Sequence, residues 1–416
     1  MTGMFDRPGQ SRLQWLVILA GVCAAMHLGK LSPALPVLRD ALGLSLLQSG
    51  FLLSLVQLAG MLLGLAAGAT ADGMGFKRSM VAGLLVLSLA SAGGGWARDV
   101  ADLLVSRALE GLGFLLVVLP APGLIRRLVE PARAKLTLGY WGAYMPLGTA
   151  AALLVGPLLL DALGWRGWWW VLAGLSFVMA LCLVLWVPAD RAVSRRVGVD
   201  ALRPNASSGV SDSWAARVRR TVLSRGPCLA ALSFAVYSGQ WLAVIGFLPS
   251  MVAAGGSFGV ATAPLLALAA LVNMVGNIVS GRMLQRGVPA HFLLYTGFCA
   301  MGAGALLAFA AVPGTDAVGS LSGLRYAGVV MFSLMGGLVP GTLFSLAVVL
   351  APDEASVSTT VGWMQQWSAT GQFFGPPVVA WVASFAGDWR WTWVVTCTCS
   401  LCGLALARQI AKQVAR

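Results

Sequence analysis

Apolar runs of about twenty residues recur along this chain, each long enough at about 1.5 Å per residue to cross a hydrocarbon layer about 30 Å thick. Twelve can be counted, at roughly 13–35, 46–70, 79–97, 101–124, 137–160, 166–187, 227–250, 261–284, 290–312, 321–346, 358–383 and 390–410. No other feature restricts the fold so strongly, because a backbone in lipid must satisfy its own hydrogen bonds and only helices and closed barrels do so. Runs of this length point to helices. Composition agrees: of 416 residues 58% are hydrophobic and 10% charged, with a mean hydropathy of +0.83, too few charges to clothe a water-soluble globule. The expectation is an all-α membrane protein with twelve transmembrane helices. Its first run carries His27 and Lys30 and continues through Pro33 and Pro36 with no small-residue cleavage site, so it is read as a retained helix rather than a cleaved signal peptide.

Basic residues in short flanking segments favour the cytoplasmic side, and here they are shared very unevenly. One set of alternate segments holds Arg7, Arg12, Lys77, Arg78, Arg126, Arg127, Arg133, Lys135, Arg282, Arg286, Arg408, Lys412, Arg416 and a dense arginine group between 191 and 225; the other holds only Arg39, Arg98, Arg166 and Arg390. Both termini are therefore expected to be cytoplasmic. The net charge of +13 follows from this topology and from contact with anionic headgroups, and calls for no nucleic-acid partner.

A polar, Arg-rich stretch at 188–226, with RPNASSGVSDS in its middle, divides the runs six and six. It reads as a cytoplasmic linker between two membrane domains, 1–187 and 227–416. The halves resemble each other. FLP at 247–249 falls where ALP falls at 34–36, and SGRMLQRG from Ser280 takes the place of AGATADGMG from Ala67. Arg107 and Arg325 each open a fourth helix with PG following at Pro122 and Pro340, GP at 156 recurs at 375, and GWRGWWW at 164 recurs as DWRWTW at 388. A duplicated six-helix unit is the natural explanation.

With these motifs in hand, the chain resembles the major facilitator superfamily over essentially its full length. GATADGMGFKR after the second run is similar to that family's signature between helices two and three, with Gly68, Asp72, Gly75, Lys77 and Arg78 on matching positions and departures at Gly73 and Phe76. The resemblance implies a gating latch in which Asp72 pairs with Lys77, Arg78 or a helix N-terminus. RALEGLGF resembles the fourth-helix pattern at Arg107, Glu110, Gly111 and Gly113. GTAAALLVGP partly matches the fifth-helix motif associated with exporters, at Gly148, Gly156 and Pro157, but Leu160 and Asp161 replace the expected glycines. GKLSPALP and GYWGAYMPLG are similar to the cyanate and nitroimidazole porter branch.

Chemistry is constrained by what the sequence lacks. There is no phosphate loop, since Ala24 and Leu31 stand where its first Gly and its Ser or Thr belong around Gly29 and Lys30. There is no HExxH and there are only two histidines, His27 and His291, which leaves catalysis without parts, and neither a metal nor a cofactor is expected. Seven cysteines lie in or beside apolar runs and suggest no disulfide scheme, the CxxC at Cys399 and Cys402 included. Intramembrane charges are the informative residues, because each costs about 2.5–3.5 kcal/mol at a helix centre unless it meets a partner or water. Lys30 and Glu110 are expected at similar depth, with Arg107 sharing a helix face with Glu110. The family's fold implies that helices one, four, seven and ten bring such groups to a central cavity. Glu110 is the candidate proton-coupling group. Lys30, His27, Arg107, Tyr144, Tyr237, Gln240, Trp241 and Gln365 are candidate substrate contacts, with Tyr140, Asn273, Asn277, Trp363 and Gln366 nearby. The tryptophans at 165, 168, 169, 170, 389, 391 and 393 read as an outer interfacial belt.

The expected function is secondary active transport of a small solute by alternating access in a bacterial inner membrane, by a monomer whose partners are substrate, protons and lipid. Proton-coupled export (antiport) of a drug- or siderophore-like compound leads. Proton-linked uptake of a small anion is the alternative, and a membrane sensor or scaffold without transport is the remote one.

Overall fold

The computed structural model describes residues 10–188, 214–254, 260–310, 323–353 and 356–414; the side chains at 10–12, 67–74, 131–132, 134–136 and 214 fall outside that set, as does most of the 188–226 linker. Every regular element among the described residues is helical. The first half comprises α1 (Gln10–Gly29), α2 (Leu31–Leu42), α3 (Leu46–Ser54), α4 (Leu58–Met74), α5 (Phe76–Gly95), α6 (Val100–Val118), α7 (Ala121–Leu128), α8 (Pro131–Trp141) and α9 (Tyr144–Trp186). After α10 (Trp214–Leu223) come α11 (Arg225–Ala254), α12 (Ala263–Gln285), α13 (Ala290–Phe309), α14 (Gly323–Gly336), α15 (Leu338–Leu350), α16 (Val357–Ala386) and α17 (Thr392–Val414).

Ten segments among the described residues are long and apolar enough to cross a membrane, against the twelve runs counted from sequence. Two features account for the difference. Residues 137–186 form one segment of 50 residues, because no loop separates the fifth and sixth runs; the chain turns only at Gly164, whose φ of 68° and ψ of 175° break α9 into two arms. A side chain there would be strained, so glycine is required. The eleventh run becomes α16, a helix of 30 residues made less apolar than the rest by Gln365, Gln366, Gln372 and its Ser and Thr residues. At the other end the first run extends to Leu42, because Lys30 keeps helical backbone between α1 and α2 (φ −59°, ψ −30°). Pro33 sits in the first turn of α2, where its missing N–H is not needed.

Glycine sets the close packing, as expected where lipid offers no hydrophobic drive between helices. A Cβ on Gly156 would come 2.6 Å from Pro33 Cγ and one on Gly148 2.5 Å from Ala25 Cβ, so the glycines of the exporter-like match serve to seat α9 against α1 and α2. In the second half Gly239 lets α11 approach α16 until a Cβ would stand 2.6 Å from Gly371 O. Both halves turn on a left-handed glycine just before a Trp-Arg pair: Gly164 before Trp165 and Arg166, and Gly387 (φ 70°) before Trp389 and Arg390.

Among the described residues the halves meet most extensively where α3 and α4 pack on α16, α9 on α12, and α2 on α11. Along the first of these, Gly50 faces Pro377, Gly60 faces Ala369 and Gly64 faces Gln366.

Candidate functional site

Lys30 lies between α1 and α2 with helical backbone, its N–H donating to Met26 O at 2.7 Å, and its side chain reaches into the first half. Its Nζ donates to Glu110 Oε1, makes a second bond of 2.8 Å to Ser91 Oγ on α5, and stands 4.5 Å from the centre of the Trp169 ring. Glu110, one helical turn past Arg107 on α6, accepts at its other oxygen from Arg107 Nη1 at 2.5 Å. Arg107 also donates to two main-chain carbonyls, His27 O at 2.7 Å and Leu52 O at 3.1 Å. His27 closes the group, with Nδ1 3.5 Å from Glu110 Oε1 and Nε2 2.7 Å from Ser176 Oγ on the second arm of α9. All four charged or titratable side chains have 0% exposure.

Burial decides how this cluster is read. Counting His27 as neutral, two cations share one carboxylate, and no bulk water is near to relax an imbalance. Such a network is held by geometry, and removing one member leaves a buried charge unpaired. The cluster is also enclosed by its own half of the protein. Ser91, Trp169 and Ser176 wall it off, and Trp168 Nε1 donates to Lys30 O at 3.0 Å. The expectation that Lys30 faces a water-filled cavity between the halves is therefore replaced by a sealed position inside the first half. Trp168 and Trp169, read from sequence as interfacial, are completely buried; the turn at Gly164 swings them inward to cap the cluster. Trp389 is buried against Phe247, whereas Trp391 is exposed as a belt residue would be.

The candidates on the second half form a separate, uncharged group. Tyr237 Oη donates to Asn273 Oδ1 at 3.2 Å, Asn273 Nδ2 donates to Ser333 O at 2.8 Å, and Trp241 Nε1 donates to Ser333 Oγ at 3.1 Å. Gln240 is buried, and its Oε1 accepts from Ser400 Oγ at 3.4 Å. These two networks occupy equivalent places. At the offset that aligns FLP with ALP, Gln240 corresponds to His27 and Ala243 to Lys30; at that of the Trp-Arg pairs, Ser400 corresponds to Ser176. The contact of Gln240 with Ser400 thus repeats that of His27 with Ser176. Arg325, matching Arg107, donates to Ala308 O at 2.9 Å, and Gly328 stands where Glu110 would be. The second half keeps the polar pair but has neither the lysine nor the carboxylate.

Other candidates are dispersed. Tyr144 is half-buried and stacks on Trp141 with ring centres 4.4 Å apart, and Tyr140 is exposed beside Trp15. Gln365 is half-buried on α16. Of the gating motif, Gly68 and Asp72 lie in α4 among residues whose side chains are outside the described set. Gly75 makes the turn into α5 with φ 92°. Lys77 donates to Val184 O at 3.0 Å and Val187 O at 2.5 Å, satisfying carbonyls at the C-terminal end of α9. Arg78 is exposed on the same turn. Phe76, a departure from the family pattern, lies with its ring centre 4.1 Å from the Arg127 guanidinium carbon, a cation–π contact.

Sequence reading did not single out the polar seam between the halves. Gln57, in a short 3₁₀ turn between α3 and α4, donates to Gln372 Oε1 at 2.7 Å. Gln366 donates to Met61 O at 2.8 Å and accepts from Leu65 N at 3.1 Å. The available signal was two buried-helix glutamines on facing crossings, which only the pairing of α3 and α4 with α16 makes meaningful. Gln57→Ala and Gln372→Ala are each expected to cost about 1 kcal/mol, with a coupling of about 0.6 kcal/mol or more in a double-mutant cycle read by thermal melting. Strict additivity would show that this bond does not tie the halves together.

Taken together, the helices and the sealed charge cluster define a multi-pass α-helical membrane protein built on an internal repeat. Comparison with known proteins gives the family. The chain belongs to the major facilitator superfamily, whose family model matches residues 17–376. It is 34% identical over 189 residues to the puromycin resistance protein pur8 of Streptomyces alboniger, covering 45% of this chain and 36% of that one. It is 29% identical over 284 residues to the 2-nitroimidazole transporter of Escherichia coli strain K12, covering 65% and 66%. These matches therefore span about a third of the one relative and about two thirds of the other. Among solved structures, a bacterial homolog of the human lysosomal transporter Spinster, inward-facing and unoccupied, superposes with a TM-score of 0.79 at 15% identity over 99% of this chain and 98% of that one; at that identity the likeness is one of fold.

Proposed function

We propose that this protein is a secondary transporter that exports a small organic compound from the cytoplasm of a bacterium in exchange for protons, by alternating access between halves 1–187 and 227–416. The two arms of α9 and the helix α16 then bring the crossings to twelve, with both termini and the 188–226 linker cytoplasmic. Asp72, Lys77 and Arg78 form the latch on that face, and Asp72→Asn is expected to slow transport without weakening binding.

The observation that carries the reading is the asymmetry between equivalent positions. A half of the same architecture is built with Gln240, Ala243 and Gly328 where the first half has His27, Lys30 and Glu110, so folding alone does not call for buried charge at these places. Charges in lipid-spanning helices are costly and are kept where they move ions or bind solute. In this role Glu110 takes the proton. Lys30, Arg107 and His27 hold it in the unprotonated state and shift when it is neutralised, which rotates α2 against α11. Substrate meets the half-buried Tyr144 and Gln365, backed by Tyr237, Gln240 and Trp241.

Resistance to puromycin and transport of 2-nitroimidazole, the roles that the relatives' names carry, supply the first solutes to try. Purified protein in liposomes enclosing a pH-sensitive dye, with a pH gradient imposed, should show proton movement that depends on one of these compounds. Solute and proton moving in opposite directions is the expected result. Movement in the same direction would favour the second reading, proton-linked uptake of a small anion. Absence of gradient-dependent flux for any solute, with a tight cytoplasmic binding partner instead, would overturn both.

A further inference from the structure

Where α10 runs into α11, the surface holds two adjoining recesses of about 670 Å³ and about 310 Å³ that share Ser224. The larger is lined by Arg219, Arg220 and Leu223, the smaller by Arg225, Val349 and Val414 among others. Cations and aliphatic walls thus alternate around one cleft. Its position is as telling as its composition. The start of α11 and the ends of α15 and α17 all reach it, so it lies at the rim of the helix bundle, at the depth of lipid headgroups. Leu223, Val348, Val349 and Val414 are exposed beside it, between 48% and 74%, and continue the wall onto the apolar flank.

From this arrangement we propose that the cleft is a binding site for an anionic glycerophospholipid, its phosphate held by Arg219 and Arg225 and its acyl chains laid against Leu223, Val349 and Val414. A soluble phosphate would use the arginines but leave the aliphatic wall without a purpose, and a zwitterionic lipid would bring a fourth cation to a cluster that already has three. Occupancy has a mechanical consequence. Arg220 makes a half-exposed ion pair with Asp353 at 3.2 Å, in the connection between α15 and α16, and exposed pairs of this kind contribute little. A phosphate in the cleft competes with Asp353 for Arg220. Lipid binding would then loosen the tie between the linker helix and α16, the helix that carries the seam to the first half.

The test uses the full-length protein in mild detergent, with native mass spectrometry reading retained lipid after incubation with phosphatidylglycerol, phosphatidylcholine or inorganic phosphate. Wild type should retain phosphatidylglycerol and not phosphatidylcholine, and millimolar inorganic phosphate should not displace it. Retention should fall about tenfold or more in Arg219→Gln/Arg225→Gln, since each cation near an anionic headgroup contributes appreciably, and stay unchanged in Arg282→Gln/Arg286→Gln, the same loss of charge elsewhere. Leu223→Glu keeps the arginines yet should lose retention too, which guards against a misfolded double variant. Equal loss in the Arg282 and Arg286 control would mean diffuse charge attraction. Displacement by phosphate alone would mean a soluble anion site, and undiminished retention in both cleft variants would mean no site here. Each of these three results overturns the proposal.

Discussion

Glu110→Gln is expected to abolish the response of solute flux to a pH gradient, leaving slower solute-for-solute exchange, and to lower stability by about 3–5 kcal/mol. The substitution keeps size and shape, so the effect is electrical. Glutamate offers both oxygens as acceptors, one to Lys30 and one to Arg107. An amide keeps one acceptor and turns an NH2 toward the second cation, setting donor against donor in a place with no water to intervene. The cluster then carries two uncompensated positive charges. Transport changes for a separate reason: the variant has no group at this position that can gain or lose a proton. Liposome flux with and without an imposed gradient, measured beside a melting curve, separates the two effects. Gradient-driven accumulation that persists in the variant would place proton coupling elsewhere in the chain.

How much of this was legible in the sequence depends on the scale of the feature. The apolar runs follow from a spacing that lipid enforces over twenty residues, and helices cover them, with the fifth and sixth runs joined in one segment and the first prolonged to Leu42. Side-chain direction was another matter. Trp168 and Trp169 sit at a helix end in a tryptophan-rich stretch, which reads as an interfacial belt; their burial depends on the φ of one residue, Gly164, and no periodicity reveals it. For Lys30 the sequence offered spacing but no direction: which side chains surround it, Ser91 on α5, Glu110 on α6 and Trp169 on α9, is set by helix packing that no local pattern encodes. The link between Gln57 and Gln372 joins residues far apart in sequence through a contact between halves. Internal repetition was the one long-range signal available: it placed Arg107 and Arg325 at equivalent positions, but that His27 meets Ser176 and Gln240 meets Ser400 is visible only in the fold.

That repetition also makes the sharpest experiment possible, which is to neutralise Lys30 and Glu110 together. Lys30→Met alone leaves Glu110 with Arg107 only and removes the ammonium that Ser91 and Trp169 surround. Glu110→Gln alone leaves two cations without a carboxylate. In the double variant these errors cancel: the cluster returns to a net charge of one, now borne by Arg107, whose bonds to His27 O and Leu52 O are unaffected and whose third partner becomes the amide oxygen at 110. Replacing a buried ion pair by neutral groups of similar volume is often close to neutral in stability. The double variant should therefore melt within about 1–2 kcal/mol of wild type and well above either single change, as the second half, with Ala243 and Gly328 near its buried Arg325, suggests a core without the lysine and the carboxylate can. Gradient-driven transport should nevertheless stay at background, at least tenfold below wild type, because restoring electrical balance does not restore a proton carrier. Recovery of both stability and coupled transport would show that the cluster is an ion network of the fold alone and remove it from the mechanism.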